Sequence, residues 1–288
     1  MSFTTLADSN PNYTTLLNKY LSSRINGDEE GAFYQESTKL HQEGKSKEYI
    51  SQIFSHISSI IDIEDAESIE SILQIVFSLI YYVEEADKKA TIKYIVSTLT
   101  SEEMKKKEKS VLCLKALTNL SNLIGGMGFQ SDALVAEVQL HIICSILSFA
   151  CATNEAKQVE HLCSKVDVWV QSWNLSDDDI RHLLKALYLV LKQTGESALA
   201  TELTKKYIGT YKEGVQYKLD SDVEDMILSS LLYGISLPIT ALNERASLLD
   251  ALRTREYSNP IQTLILLLTI ICDGSLPGEL LHKLIVID

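Results

Sequence analysis

From Ser68 onward the apolar residues Ile69, Ile72, Leu73, Val76, Leu79, Ile80 and Val83 fall at the i, i+3, i+4, i+7 interval that lines one face of an α-helix. The interval returns at Ile92, Ile95, Val96 and Leu99, and again at Val111, Leu114, Leu117, Leu120 and Ile124. Two more stripes run through Leu134, Val138, Ile142 and Leu147, and through Val159, Leu162, Val166 and Val170. Each predicts a helix of roughly four or five turns, closed by a short polar break. Between Tyr13 and the C-terminus the pattern predicts about twelve helices joined by loops of about two to eight residues.

Several breaks carry explicit start or stop chemistry. Gly125-Gly126, after Ile124, can supply a left-handed residue that ends a helix. The run Leu175-Ser176-Asp177-Asp178-Asp179-Ile180 is a fuller start signal. Ser176 can cap, the aspartates sit where the helix dipole favours negative charge, and Leu175 can staple to Ile180. Asn259-Pro260 and Leu237-Pro238 open helices in the same way, with proline at the first helical position. Short loops place consecutive helices antiparallel, and a dozen of them stack most readily as a solenoid. The expected fold is therefore all-α, a right-handed-type helical-repeat solenoid of the HEAT or TPR kind, degenerate because no strict sequence repeat is visible. Residues 277–288 keep the helical pattern (Leu280, Leu281, Leu284, Ile285) and stop without a cap, as if a longer protein continued or the end packed against another surface.

Composition agrees with this. The chain has 12 Gly and 4 Pro in 288 residues, well below the usual shares of about 7% and 5%, so turn-rich all-β folds are excluded. Hydrophobic residues at 45% and charged ones at 23% rule out a wholly disordered chain. A net charge of −13 argues against sequence-independent binding to nucleic acid or to an anionic membrane as the main task. Residues 1–12 are polar, expected to be flexible, and lack the basic and apolar regions of a signal peptide. Residues 134–151 form an apolar run interrupted by Glu137, Gln139 and His141, while 261–272 is too short to span a bilayer; both read as buried helices of a soluble protein, cytosolic or nuclear. Cys113, Cys144, Cys151, Cys163 and Cys272 have no disulfide spacing and read as small core residues.

Candidate chemistry is thin. His141 and Cys144 stand at i, i+3, and His161 and Cys163 are two apart, but four convergent zinc ligands are missing, so His141 reads as a core or boundary residue. Gly125-Gly126-Met127-Gly128 matches neither phosphate-loop template, and no serine occupies a nucleophile elbow. No catalytic residue, cofactor or metal site is expected. Lys105-Lys106-Lys107-Glu108-Lys109 is the one basic run; it lacks interleaved aromatics and reads as a solvated loop or helix start. Residues 62–87 hold eight acidic side chains and no basic one, an exposed helix face that could meet a basic partner. Trp169 and Trp173, four apart on one helix, read first as core aromatics locking a helix pair and second as a partner anchor.

The tryptophan block brings in a resemblance. Val168-Trp169-Val170-Gln171-Ser172-Trp173-Asn174-Leu175-Ser176, followed by His182-Leu183-Leu184-Lys185-Ala186-Leu187-Tyr188, resembles the m-subunit family of eukaryotic translation initiation factor three, a PCI-domain family. Ile208-Gly209-Thr210-Tyr211 and Gly278-Glu279-Leu280-Leu281-His282-Lys283-Leu284 resemble two further segments of that family, in the same order. The likeness is strongest over 155–211 and near the C-terminus, and residues 213–250 read as longer than the family pattern.

The resemblance implies a non-enzymatic scaffold that binds other PCI- and MPN-type subunits while the assembly docks on the small ribosomal subunit. It implies a helical-repeat domain over 13–212 and the helical part of an incomplete PCI module over 213–288, the winged helix being absent, so that the chain is a C-terminally shortened form. Trp169, Trp173, Asn174, Leu175 and Ser176 form the structural motif; Leu280, Leu284 and Ile285 are the candidate partner-facing residues. No direct contact with nucleic acid and no membrane are implied. The alternative reading is a PCI-type scaffold of the COP9 signalosome or the proteasome lid.

Overall fold

The computed structural model describes residues 39, 41–55, 57–63, 66–127, 132–210, 221–233, 262–263 and 265–266. Every element among them is helical. The chain divides into two compact units, Met1–Glu155 and Ala156–Asp288. The first contains α1 (Ser46–Ser55), α2 (Ile57–Ile63), α3 (Ala66–Ser78), a 3-10 turn (Leu79–Tyr82), α4 (Glu85–Leu99), α5 (Lys107–Gly126) and α6 (Asp132–Ala152). The second contains α7 (Ala156–Val159), a 3-10 segment (Glu160–Lys165), α8 (Val166–Ser172), α9 (Asp177–Thr194), α10 (Ser197–Gly209) and α11 (Ser221–Tyr233). Tyr13, Leu237-Pro238 and Asn259-Pro260, where further helices are expected, lie outside the described residues, although Gln262, Thr263, Ile265 and Leu266 just beyond Pro260 are helical.

In the first unit the predicted stripes are the core. Ile69, Ile72, Leu73, Val76, Leu79, Ile80 and Val83 are all buried, as are Ile92, Ile95, Val96 and Leu99. α5 lies against α6, α3 and α4, and α4 also meets α1 and α6. Phe54 of α1 stacks on Phe77 of α3 at 6.4 Å between ring centroids. α6 is long and apolar enough to cross a membrane by length and composition, and 61% of that stretch is buried within the fold. Its one deeply buried polar side chain, Gln139, is satisfied twice: Ser121 Oγ donates to its Oε1 at 2.8 Å, and its Nε2 donates to the Ser121 carbonyl at 2.7 Å. Such pairing removes the penalty of burying an amide.

Three local expectations need correction. Gly125-Gly126 does not end α5 in a left-handed turn: the helix runs through Gly126, and Met127, in extended conformation, closes it. A Cβ on Gly125 would stand 3.1 Å from Gln139 Nε2, so a side chain there would crowd the Gln139 amide of α6 and shift it by a few tenths of an ångström. The left-handed stop occurs instead at Gly195 (φ 86°), whose amide donates to Leu191 O at the end of α9. Val111 is 44% exposed, because Cys113 and Ala116 turn inward with Leu114, Leu117, Leu120 and Ile124 and rotate the buried arc away from it. The last stripe is not one helix: Val159, Leu162 and Val166 are buried, but they belong to α7, a 3-10 segment and α8 in turn. A 3-10 segment brings side chains three apart into line, so it keeps the stripe without an α-helix.

The charge runs are also rearranged by packing. Lys109 is only 5% exposed; its Nζ pairs with Asp62 at 2.6 Å and donates to Ser58 Oγ at 3.0 Å. Lys105 pairs with Glu102 at 2.5 Å, so the basic run is neither a patch nor fully solvated. The acidic stretch spans α2, α3 and the approach to α4 rather than one helix face. Asp62 meets Lys109, Glu70 meets Lys115, Glu85 meets Lys88 and Asp87 meets Lys47. With four of its eight acids already paired inside the unit, the surface for a basic partner is much reduced. On α6, Glu137 accepts from Lys89 at 2.5 Å and Lys93 at 3.3 Å, which holds its carboxyl below the ordinary value. Leaving aside the buried Lys109, each of these largely exposed pairs is worth about 0–1 kcal/mol, so they order neighbours more than they stabilise the unit.

Leu117 is fully buried at the centre of α5. Leu117→Ala is expected to lower the unfolding free energy by about 2–5 kcal/mol through lost burial and a residual cavity, read as a shift in the urea midpoint at unchanged slope. A loss under about 1 kcal/mol would show that α5 is not the packed centre of its unit.

Candidate interaction surface

The tryptophan block folds as a helix end followed by a helix start. α8 begins at Val166, which is buried, and closes at Trp173, whose amide donates to the Trp169 carbonyl at 2.9 Å. Asn174 then adopts a left-handed conformation (φ 47°), one that asparagine tolerates better than most residues. This turns the chain so that Ser176 reaches the N-cap of α9. The Ser176 hydroxyl accepts from the Asp179 amide at 3.2 Å and donates to Asp179 Oδ2 at 2.6 Å. Asp177, Asp178 and Asp179 occupy the first turn, as the start signal predicts.

The indoles are neither core nor fully exposed. Trp169 and Trp173 are both half-buried and stack on one another, with centroids 5.4 Å apart and planes 10° from parallel. The expectation that they lock a helix pair from inside the core therefore needs revising. They form a paired slab with one side on the fold and part of its area in water. Val168 beside them is 64% exposed, and Val170 and Leu175 are half-buried. The block is an apolar surface stiffened by ring stacking, which offers contact area at little cost in side-chain entropy.

α9 and α10 hold this surface in place. Arg181, one turn into α9, donates through Nη1 to the carbonyl and the hydroxyl oxygen of Thr210, both at 3.2 Å, and pairs with Asp178. The start of α9 thus meets the end of α10, which makes the two helices antiparallel. The contact joins the tryptophan segment to Ile208-Gly209-Thr210. Lys206 of α10 reaches both carboxylate oxygens of Asp167 in α8, at 2.6 and 2.7 Å. Beneath this bridge runs a groove of about 600 Å3 lined in part by Val166, Asp167, Leu191, Leu199 and Lys206, and Leu199 on its edge is 51% exposed.

Sequence reasoning missed Arg181, Lys206 and Leu199. Their partners lie 29 or 39 positions away, or in solvent, and helical periodicity carries no information about such contacts. Leu280, Leu284 and Ile285 lie outside the described residues, as do Tyr211 and Cys272. His141 is half-buried on α6 beside the buried Cys144, and His161 is exposed. Among the described residues no group of three His, Cys, Asp or Glu side chains could hold a metal ion.

No family model matches the sequence. The chain is 27% identical over 168 residues to eukaryotic translation initiation factor 3 subunit M of Gallus gallus, a stretch covering 58% of this chain and 42% of that relative. Against the Homo sapiens subunit M the identity is 25% over 168 residues, with the same coverage. Against that of Dictyostelium discoideum it is 22% over 192 residues, or 66% of this chain and 45% of the relative. The chain is distantly similar to subunit M. The matched stretch spans less than half the length of those relatives.

Three side chains that could act as nucleophiles, Cys113, Cys151 and Tyr188, are suppressed by burial. Desolvation pushes the Cys113 thiol up to about 12 and the Cys151 thiol up to about 11. It also pushes the Tyr188 hydroxyl up to about 12. These groups are neutral near pH 7 in the folded chain, and a neutral thiol is a poor nucleophile.

Two outcomes follow. Ser176→Ala removes the cap of α9 and is expected to cost about 0.5–2 kcal/mol in urea unfolding, whereas Ser172→Ala, at an exposed site, should cost less than about 0.5 kcal/mol. Alkaline stability should also fall. Cys113, Cys151 and Tyr188 have folded values raised above their ordinary 9.0, 9.0 and 10.0, so above about pH 9 the unfolded chain binds fewer protons and ionisation favours it. Stability contributed by these groups is complete below pH 9 and declines toward pH 11–12. Denaturant titrations at pH 7.5 and about 10 check this; a flat profile contradicts the burial of these groups.

Proposed function

We propose that this chain is a non-enzymatic scaffold subunit of the eukaryotic translation initiation factor 3 complex, acting in the cytoplasm by holding other PCI- and MPN-type subunits together during initiation on the small ribosomal subunit. The distant similarity to subunit M carries this reading. The geometry supports it in kind: the tryptophan block is a stacked, half-exposed apolar surface braced by α9 and α10, suited to a protein partner and without convergent catalytic groups. In this reading the all-α chain is a HEAT- or TPR-like helical-repeat solenoid over 13–212, followed by the helices of a PCI module over 213–288. Leu280, Leu284 and Ile285 would face a neighbouring subunit. RNA contacts fall to other members of the assembly, consistent with the net charge of −13 and with the diversion of Lys105 and Lys109 into internal ion pairs.

Affinity capture of the tagged 288-residue chain from cytosolic extract tests this. Enrichment of initiation factor 3 subunits together with small-subunit ribosomal proteins is expected. Recovery of signalosome or proteasome-lid subunits instead would replace the reading with its PCI-type alternative, and recovery of none of these assemblies would overturn it. If the indoles anchor a partner, Trp169→Ala with Trp173→Ala should weaken capture by about tenfold or more at unchanged helical circular dichroism.

A further inference from the structure

Between α9, α10 and α11, away from the tryptophan block, lies a cavity of about 290 Å3 whose lining is rich in hydrogen-bond donors. Lys192 comes from the last turn of α9, Ser197 and Thr201 from the first turns of α10, and Ser229 and Ser230 from α11. Ser230 is 2% exposed, and its Oγ has no hydrogen-bond partner. A buried hydroxyl without a partner forfeits the hydrogen bonds it makes in water, so in a working fold it implies something that completes it. The N-terminus of α10 opens at the same cavity, and its N-cap, Glu196, provides no side-chain cap. The first-turn amides of a helix have no intrahelical partner and carry the positive end of the dipole.

Of the carboxylates near the cavity, Glu196 at the N-cap of α10 is exposed to solvent, and Asp225 already accepts from the Tyr188 hydroxyl at 3.1 Å and from Lys192 Nζ at 2.6 Å. That single bond uses one of three ammonium protons, leaving Lys192 able to donate elsewhere. Thr201 donates its own proton to the Ser197 carbonyl, the Ser197 amide donates to the Gly195 carbonyl, and Ser229 is bonded to the Tyr188 hydroxyl, so the free donors are Lys192, the Ser197 and Ser230 hydroxyls and the amides of Ala198 and Leu199. An acceptor-rich anion satisfies such a set, and an uncapped helix N-terminus beside a lysine favours a phosphate oxyanion over a neutral ligand. The volume exceeds that of a bare phosphate and leaves room for a small ester group.

We propose that this cavity binds a phosphate group, free or as a small phosphomonoester, with Ser230, Lys192 and the N-terminus of α10 as its ligands. The proposal is independent of the scaffold role.

The test is titration of the 288-residue chain with inorganic phosphate and, separately, with glycerol phosphate, against chloride at constant ionic strength. The readouts are amide chemical shifts and thermal midpoint. Saturable shifts at residues 197–200 and a rise in midpoint are expected; equal binding of both ligands identifies the free ion as sufficient, and tighter binding of glycerol phosphate identifies a monoester, each in support. Ser230→Ala removes a hydroxyl that bonds to nothing, so it should fold with an unchanged or higher midpoint in chloride and bind at least fivefold more weakly. Lys192→Gln should weaken binding similarly. Absence of saturation with both ligands, or equal affinity in wild type and Ser230→Ala, overturns the assignment.

Discussion

An amphipathic helix cannot bury its own apolar stripe, and that constraint governs both units of this chain. α3, α4, α5 and α9 each present a row of Ile, Leu and Val that is close to fully buried, and each row is closed only by side chains of other helices. Isolated helices of this length are marginal in water, so most of their stability comes from packing rather than propensity. The consequence is a chain in which helix–helix contact comes first and surface chemistry is fitted around it. Gly125 illustrates the order of priorities: it costs helix propensity, and it leaves Gln139 of α6 room that a Cβ would crowd at 3.1 Å.

Most polar groups caught in that packing are matched by partners. Gln139 is bonded twice by Ser121, and Lys109 is held by Asp62 and Ser58. The same logic makes Ser46 of α1 and Ser230 of α11 conspicuous, because each is 2% exposed and neither Oγ has a partner. It also separates the two surfaces of the second unit. The tryptophan block exposes apolar area and suits a protein partner, whereas the α9–α11 cavity presents donors and suits an anion.

The acidic balance takes on a narrower meaning once pairing is considered. A charge of −13 spread over the chain opposes non-specific attraction to polyanions. Yet many of the acids in the first unit are tied to lysines of neighbouring helices, among them Asp62, Glu70, Asp87 and Glu137. Charge pairs of this kind are weak individually and set register between helices more than they set stability. The acidity therefore excludes a mode of binding without excluding membership in a ribosome-docking assembly, and a local donor-rich cavity is compatible with it.

The sequence by itself determined the helical class of the described residues, most of their core positions and the cap at Ser176, because periodicity and capping are local properties, fixed by residues within a turn or two. Which side of the indoles meets solvent, where the 3-10 segments interrupt a stripe, and why Val111 is exposed were decided by the tertiary structure. So were the Arg181–Thr210 and Lys206–Asp167 bridges, the burial of Lys109 and the unpartnered Ser230. Each of these depends on what a neighbouring helix places opposite a given residue. A helical repeat at 3.6 residues per turn specifies a face, but the partner across that face is set by packing between segments distant in the chain.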